Sequence, residues 1–421
     1  MRQGLKSVVT LAAILSLTAC YTDQAGDDAS ADGVSELAAR KTPKPTRGGT
    51  ETPAPSPTPT PTPTPTATPS PGTPVSVAPD ESGIRQLASI PSNFNTAGLL
   101  QAVPPNGSAD PDVVGAFRFI CRPSHLAYDD PIVFPGQKGR AHLHQFFGNT
   151  LADANSTYES LRTTGDSTCN NMLNRSAYWI PAMLNGRGQV IIPEYFAIYY
   201  KRRPAYDPSC QTGKGCIGLP RGLRYIFGNT MQGADDGANV YFMCDGGTSG
   251  AHFRTLPEAA AVCPVGAKLI AKVTAPDCWD GVNLDSPDHR SHMAFGYASN
   301  GLDLCPATHP YRIPRFEIGA SYVVDETLDR SGDLSTSRAT WHFSSDRMAG
   351  MTPQVAGKTF HADWFGAWDD AVLKTWVANC IDRKLSCSSG TLGNGTMLAQ
   401  VGPANNYTGP RTVNMPPPPA S

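Results

Sequence analysis

Gln189-Val190-Ile191-Ile192-Pro193-Glu194-Tyr195-Phe196-Ala197-Ile198-Tyr199-Tyr200 is the stretch that decides the fold class. Its β-branched and aromatic side chains suit a half-buried pleated surface, so it is expected to be a strand. Gly115–Ile120, Ser176–Met183, Leu223–Phe227, Val240–Cys244, Lys268–Val273, Pro314–Val324 and Ala339–Phe343 share that composition. Gly, Pro, Asn and Asp fill the segments between them, as turn chemistry requires. One helix stands out, at about 367–381, where Trp368, Val372, Trp376 and Cys380 recur on a helical period. Asp369 and Asp370 lie in its first turn and Arg383 and Lys384 beyond its end, matching the helix dipole. The expectation is a mainly β, antiparallel fold, sandwich or jelly-roll-like, with long disulfide-pinned loops and at least this one short helix.

Cysteine usage supplies the pins and the compartment. Of 11 cysteines, Cys20 ends Leu17-Thr18-Ala19-Cys20, after a basic start (Arg2, Lys6) and the apolar run Val8–Leu17. That is a secretory signal with a cysteine where the small-residue cleavage site normally falls. It resembles the lipobox of bacterial lipoproteins, in which the cysteine becomes the lipidated first residue. The run is short of the about 20 apolar residues that span a bilayer. The other cysteines are then even in number, which suits an oxidising compartment. Cys210 with Cys216 and Cys380 with Cys387 bracket short loops that can close; Cys121–Cys169, Cys244–Cys263 and Cys278–Cys305 are the further pairings expected, with less support, because spacing alone does not establish connectivity. No Cys-x-x-Cys pair points to a zinc cluster.

The expected organisation follows. Residues 1–19 are a signal peptide; 20–41 are a lipidated cysteine and a small, polar, disordered segment. Residues 42–79 are a Pro/Thr-rich linker, strictly alternating from Thr58 to Thr66. Proline fixes φ and removes the amide donor, so this segment lies in extended polyproline II. At ~3.1 Å per residue, Pro53–Pro74 would hold a domain on the order of 70 Å from the membrane. Residues 80–407 form a single globular domain and 408–421 a disordered Pro-rich tail. The net charge of −2, with no basic stripe, argues against nucleic acid as a partner. The chain is expected to be monomeric, exported, and anchored to a bacterial membrane by lipid on Cys20, facing the extracytoplasmic side.

Three places concentrate histidine and carboxylate. In Arg140-Ala-His142-Leu-His144-Gln-Phe-Phe-Gly148, a strand would put His142 and His144 on one face. They can then share one divalent metal, or one can position a substrate while the other moves a proton. The plain alternative is two histidines hydrogen-bonded to backbone. In the loop Cys278–His292, Asp280, Asp285, Asp288, His289 and His292 crowd together with Trp279 and Asn283. Their spacing does not match an EF-hand, and Asx turns alone can account for single aspartates. In Phe360–Asp369, His361 and Asp363 stand beside Trp364 and Trp368. Asp363 can be a cap, and tryptophan is more often core than platform, but indoles beside acids also suit a sugar ring.

Taken in order, His142-Leu-His144, Tyr178-Trp-Ile-Pro181, Tyr199-Tyr200, the Cys278–His292 run, Cys305-Pro-Ala-Thr-His-Pro310 and His361-Ala-Asp363 through Asp369 resemble a secreted family, DUF1996, with bacterial and fungal members. The resemblance spans about Gly115 to Cys387. Some fungal members carry glycan-associated WSC modules, so it implies an extracellular setting and a tilt toward polysaccharide, and it supplies no reaction.

Three functions remain open at this point. One is hydrolysis or lyase-type cleavage of a polysaccharide by acid–base groups. Its catalytic candidates are Asp280 or Asp285 with Asp363, and His144, His292 or His361 to tune charge or transfer a proton. Trp279, Asn283, Asp288, His289, Trp364 and Trp368 are the candidate substrate contacts. A metal-assisted version takes His142 and His144 as ligands with one of His361, Asp363 or His292. The second function is non-catalytic binding of cell-wall glycan; the third is a structural surface protein. No Gly-x-Ser-x-Gly elbow supports serine chemistry. A functional cleft requires all three places to meet in space.

Overall fold

Gln189–Tyr200 is two strands rather than one in the computed structural model: Gln189–Ile191, and Tyr195–Arg202 after Pro193. Proline has no amide to give a ladder, so the chain leaves one sheet there and enters another. The structure describes residues 77–79, 83–104, 108–109, 113–234, 236–247, 250–333, 340–400 and 407–419. All of them fall in the second of the chain's two units, Pro69–Ser421. The expected signal peptide, Cys20, the segment 20–41 and residues 42–76 of the linker lie outside the described residues, as does Ala339. No described helix is long and apolar enough to cross a membrane.

Two antiparallel sheets carry the fold. We label their strands β1 (Gly115–Cys121), β2 (Pro123–Ala127), β3 (His144–Gly148), β4 (Ala177–Pro181), β5 (Tyr195–Arg202), β6 (Arg224–Gly228), β7 (Val240–Asp245), β8 (Lys268–Thr274), β9 (Arg315–Val323), β10 (His361–Phe365) and β11 (Leu385–Cys387). The larger sheet runs β7-β8-β9-β5-β1-β11 and ends on Ser108–Ala109; only the β1–β11 pairing is parallel. The smaller, five-stranded sheet runs β6-β10-β4-β3-β2.

The large sheet buries one face. Along β5, Phe196, Ile198 and Tyr200 are buried while Tyr195, Ala197, Tyr199 and Lys201 are less so, and β8 alternates in the same way. Its inner side chains meet those of the small sheet. Phe196 stacks on Phe147 with ring centroids 3.9 Å apart, and the Tyr178 and Tyr200 hydroxyls hydrogen-bond at 2.7 Å. Phe316 lies edge-on to Trp364 at 4.6 Å. This is a β-sandwich, with its apolar core between the sheets.

The small sheet differs: every residue of β3, β4 and β10 is buried, whichever way it points. Its outer face is roofed by a second apolar cluster with Ile132, Ala152, Tyr158 and Leu161 packed on Phe146, Trp179 and Phe365. Tyr158 and Leu161 come from the short helix α1 (Tyr158–Thr163).

The expected helix is shorter than its periodicity. It begins at Asp370, with Asp369 as N-cap accepting from the amides of Ala371 and Val372, and it runs as α-helix to Trp376. Residues Val377–Ile381 continue it as a single π-helical turn. Residue 368 is bridged to Asn174 instead, so the apolar recurrence at Trp368 belongs to extended chain. All five expected disulfides form: Cys121–Cys169, Cys210–Cys216, Cys244–Cys263, Cys278–Cys305 and Cys380–Cys387. The tail departs from the expected disorder. Thr412–Asn414 adds a strand to Gln189–Ile191, and the Tyr128 hydroxyl donates to the Pro416 carbonyl. Free backbone beside an open sheet edge is satisfied most readily by pairing with it.

Replacing Phe196 by alanine should remove the stacked pair and leave a cavity between the sheets. Urea unfolding with the disulfides intact should show a loss of about 3–5 kcal/mol.

Candidate functional site

The outer face of the small sheet collects the chemistry. Side chains alternate across a strand, so Asp363 and His361 of β10 share a face. Asp363 is paired with Trp179 of β4 and Ile226 of β6, Phe146 with Trp179, and His144 with Pro181. His144 and His361 therefore project to the same side, flanking β4. His142, just ahead of β3, folds back over them. The ring centroids are 4.1 Å apart for His142–His144, 5.3 Å for His142–His361 and 6.4 Å for His144–His361. One ring nitrogen from each lies within 4.8 Å of those from the other two.

The hydrogen bonds determine which nitrogen each ring has to give. His144 Nδ1 lies 2.9 Å from the Asp129 carbonyl and His361 Nδ1 lies 2.7 Å from the Thr359 carbonyl. A carbonyl only accepts, so both Nδ1 atoms carry the proton. His142 Nδ1 is 3.0 Å from Ser344 Oγ, whose own proton goes to the Leu143 carbonyl at 2.6 Å. Ser344 therefore accepts, and His142 is protonated on Nδ1 as well. All three imidazoles are left with an Nε2 lone pair, and that of His144 is buried without any partner. Orientation of a ring through the far nitrogen is the usual support for a metal-ligating histidine.

Burial sets the charges. Desolvation holds His142 and His361 well below the ordinary imidazole range and lowers His144 to about 3, each reinforced by a neighbouring ring. All three are neutral at pH 7, the form that binds a metal. Asp363 is fully buried and neither oxygen has a hydrogen-bond partner; Oδ2 is 3.8 Å from His361 Nε2. Burial raises its pKa well above the usual carboxylate range, the charge of Asp130 adds to this, and the Arg290 guanidinium opposes it. Burial also pushes Asp130 up to about 6, against two backbone amides, of Ile132 and Val133, that donate to it.

The acid-rich loop reaches the site along the free edge of β6. The Arg224 amide donates to the Leu284 carbonyl and the Ile226 amide to that of His289. Arg290 follows, its guanidinium donating to the carbonyls of Gly228 and Asn229. Gly228 has φ +96, and a Cβ there would come within 3.0 Å of the His361 Cα; only glycine lets β6 close on β10 at this point.

The three places thus meet, but several expected members serve the fold instead. Asp280 accepts from the amides of Val282 and Asn283 and from the Asn283 side chain, an Asx turn. Asp288 caps the turn through Arg290, Ser291 and Ser286; desolvation is the largest single influence on its carboxyl and raises its pKa, but these bonds together outweigh it and hold the group well below the usual range. His292 is buried with both nitrogens engaged, by Ser286 Oγ and the Arg224 carbonyl, so it has no lone pair or proton to offer. Asp285 is tied to Arg224 and to His289. Trp279 is buried and donates to the Asn283 carbonyl. Trp364 lies on the inner face of its sheet, against Phe316 and Tyr225, and Trp368 packs on Phe117, Phe119 and Trp376. None of these indoles presents a face to a sugar ring, because each is enclosed by the core.

The sequence missed Asp130, Arg290 and the orienting groups of Asp129, Thr359 and Ser344. The Asp129-Asp130-Pro131 triplet upstream of the histidines was the available signal for the first. The orienting groups are backbone carbonyls and one serine, which leave no mark on a sequence.

A family model described as "Domain of unknown function (DUF1996)" matches residues 130–368, more than half of the chain. The chain belongs to the DUF1996 family. Comparison with curated proteins and with solved structures finds no match. The match opens at Asp130 and closes at Trp368, so all three histidines, both buried aspartates and the Arg290 loop belong to the DUF1996 domain itself. The chain's five disulfides, three of them wholly within that domain, suit an oxidising, extracytoplasmic compartment.

A folded imidazole pKa near 3 against about 6.5 unfolded contributes stability above pH 6.5 that is lost as pH falls toward 3. In metal-free protein, the stability advantage of the wild type over His144→Asn, which keeps a donor for Asp129, should therefore shrink in acid. Denaturant unfolding at pH 7.5 and 5.5 should show the gap closing by about 1 kcal/mol.

Proposed function

We propose that this DUF1996 domain is a metal-dependent hydrolase of an extracytoplasmic polysaccharide, with His142, His144 and His361 as the protein ligands of one divalent ion. The observation that carries it is the cluster of three imidazoles, each with a ring nitrogen within 4.8 Å of the other two, together with the unpartnered His144 Nε2 and a buried carboxylate with no partner. Buried polar groups are nearly always paired, and leaving one unmatched costs about 1–3 kcal/mol. A cation accounts for His144 Nε2 and Asp363 together. A tetrahedral zinc with Zn–N of about 2.0–2.1 Å holds its nitrogens about 3.3 Å apart, so shifts on the order of 1 Å would close the triad. Three histidines leave a position open, the arrangement of catalytic rather than structural zinc. When bound, such an ion supplies Lewis-acid chemistry and makes water a nucleophile near neutral pH.

The chain's own groups then have separate tasks. Asp363, beside His361 and free of hydrogen bonds, would be ionised by a neighbouring cation, and in that form it would take up the proton released when water attacks and return it to the leaving oxygen. Asp130 raises its basicity, and Arg290 limits the charge left behind. The roof over this face excludes bulk water, which strengthens each of these interactions. Polysaccharide as the substrate rests on the family's glycan-associated modules and on the exported setting. Display on a lipid at Cys20 and a proline-rich stalk would hold the domain toward such a polymer, as a monomer and without nucleic acid.

The exported chain, stripped with chelator and equilibrated with zinc, should retain about one equivalent. His144→Ala and His361→Ala should each lose most of it. Asp363→Asn should keep the metal but release new reducing ends from cell-wall glycan at least about 100-fold more slowly. No retained metal in the wild type, or undiminished release by Asp363→Asn, would sink the proposal; binding of glycan without release would make the domain a receptor.

A further inference from the structure

We infer that Asp346, outside all three clusters, is a positioning residue for the histidine centre, acting through the groups that orient His142 and His361. The inference rests on the metal reading above. Asp346 is buried, and its Oδ2 accepts the amides of Phe343 and Gly357, both at 2.8 Å. Its Oδ1 accepts the Thr359 amide at 3.1 Å and the Thr359 hydroxyl at 2.8 Å. Phe343 directly precedes Ser344, whose hydroxyl receives His142 Nδ1–H. Thr359 supplies the carbonyl that receives His361 Nδ1–H. One carboxylate therefore clamps together the two ends of the 343–359 segment, and each end orients a different ligand.

The choice of residue fits that task better than it fits stability. The largest influences on Asp346 are burial and its hydrogen-bond donors, with no charged partner among them, and burial raises its pKa to about 6 in spite of four donors. A buried charge without a counter-charge is costly. Its compensation is geometric: an ionised carboxylate offers acceptor sites on both oxygens, enough for donors arriving from both ends of the segment. Asparagine of the same shape accepts on one oxygen only and turns an amide N–H toward the other two donors. The outer partners of ligating histidines commonly govern metal affinity by 10–100-fold. Here the partners of two ligands depend on one residue.

The test uses the exported chain loaded with cobalt(II), whose visible spectrum reports ligand geometry. Asp346→Asn should bind cobalt about 10–100-fold more weakly in chelator competition. Its visible bands should weaken while near-ultraviolet circular dichroism stays that of the wild type. Thr359→Val, which removes one donor and keeps the carboxylate, should lie between the two, and it decides the matter should Asp346→Asn fail to fold. Asp277→Asn breaks the buried pair with Arg312, a contact that includes none of the histidines, and should lower stability without changing cobalt affinity. Wild-type affinity and spectrum in both Asp346→Asn and Thr359→Val overturn the inference while leaving the metal centre standing. A wild type that takes up no cobalt overturns the centre itself, and the inference with it.

Discussion

Burial of the small sheet on both faces is the constraint on which the rest of the structure depends. A sandwich sheet ordinarily shows water one face, and its outward residues are then polar at little cost. Here β3, β4 and β10 are enclosed on both sides, so every outward residue must be apolar, paired, or held neutral. Phe146, Trp179, Ala177 and Phe365 meet the first condition. His144, His361 and Asp363 do not, and they are adjacent.

That adjacency has an electrostatic consequence. In a low-dielectric setting the imidazoles give up their charge and the carboxyl resists taking one. The fold satisfies the Nδ1 side of each ring with a carbonyl or a serine and leaves the buried His144 Nε2 unmatched. Proteins tend to break their own packing and pairing rules at functional sites, and elsewhere in this sandwich most polar groups are matched. Asp280, Asp288 and His292 show the contrast: the same residue types, in the 278–292 loop, have their hydrogen bonds made.

Legibility in the sequence followed the range of the interactions. Strand positions such as Lys268–Val273 and Val240–Cys244 were readable because pleat and composition act within a few residues. Cys210–Cys216 and Cys380–Cys387 were readable from the short loops they close, whereas the three longer-range pairs depend on how the strands that carry them meet. The break at Pro193 is marked only by proline's missing amide. β10 is not among the strands that composition marks, and it ends just ahead of the N-cap Asp369. The tryptophans were the least readable. Trp364 and Trp368 are four residues apart and both lie in the core, and nothing local distinguishes a core indole from a platform.

Composition and spacing alone determined a β-rich, cross-linked chain suited to an oxidising compartment, with three concentrations of histidine and acid. They did so because disulfide parity and pleat are properties of local sequence. Which of those side chains act together was decided only by tertiary structure. The register of β10 on β4 and the return of His142 over His144 bring together residues some two hundred positions apart. Burial then separates the groups whose hydrogen bonds are complete from those left open to a ligand.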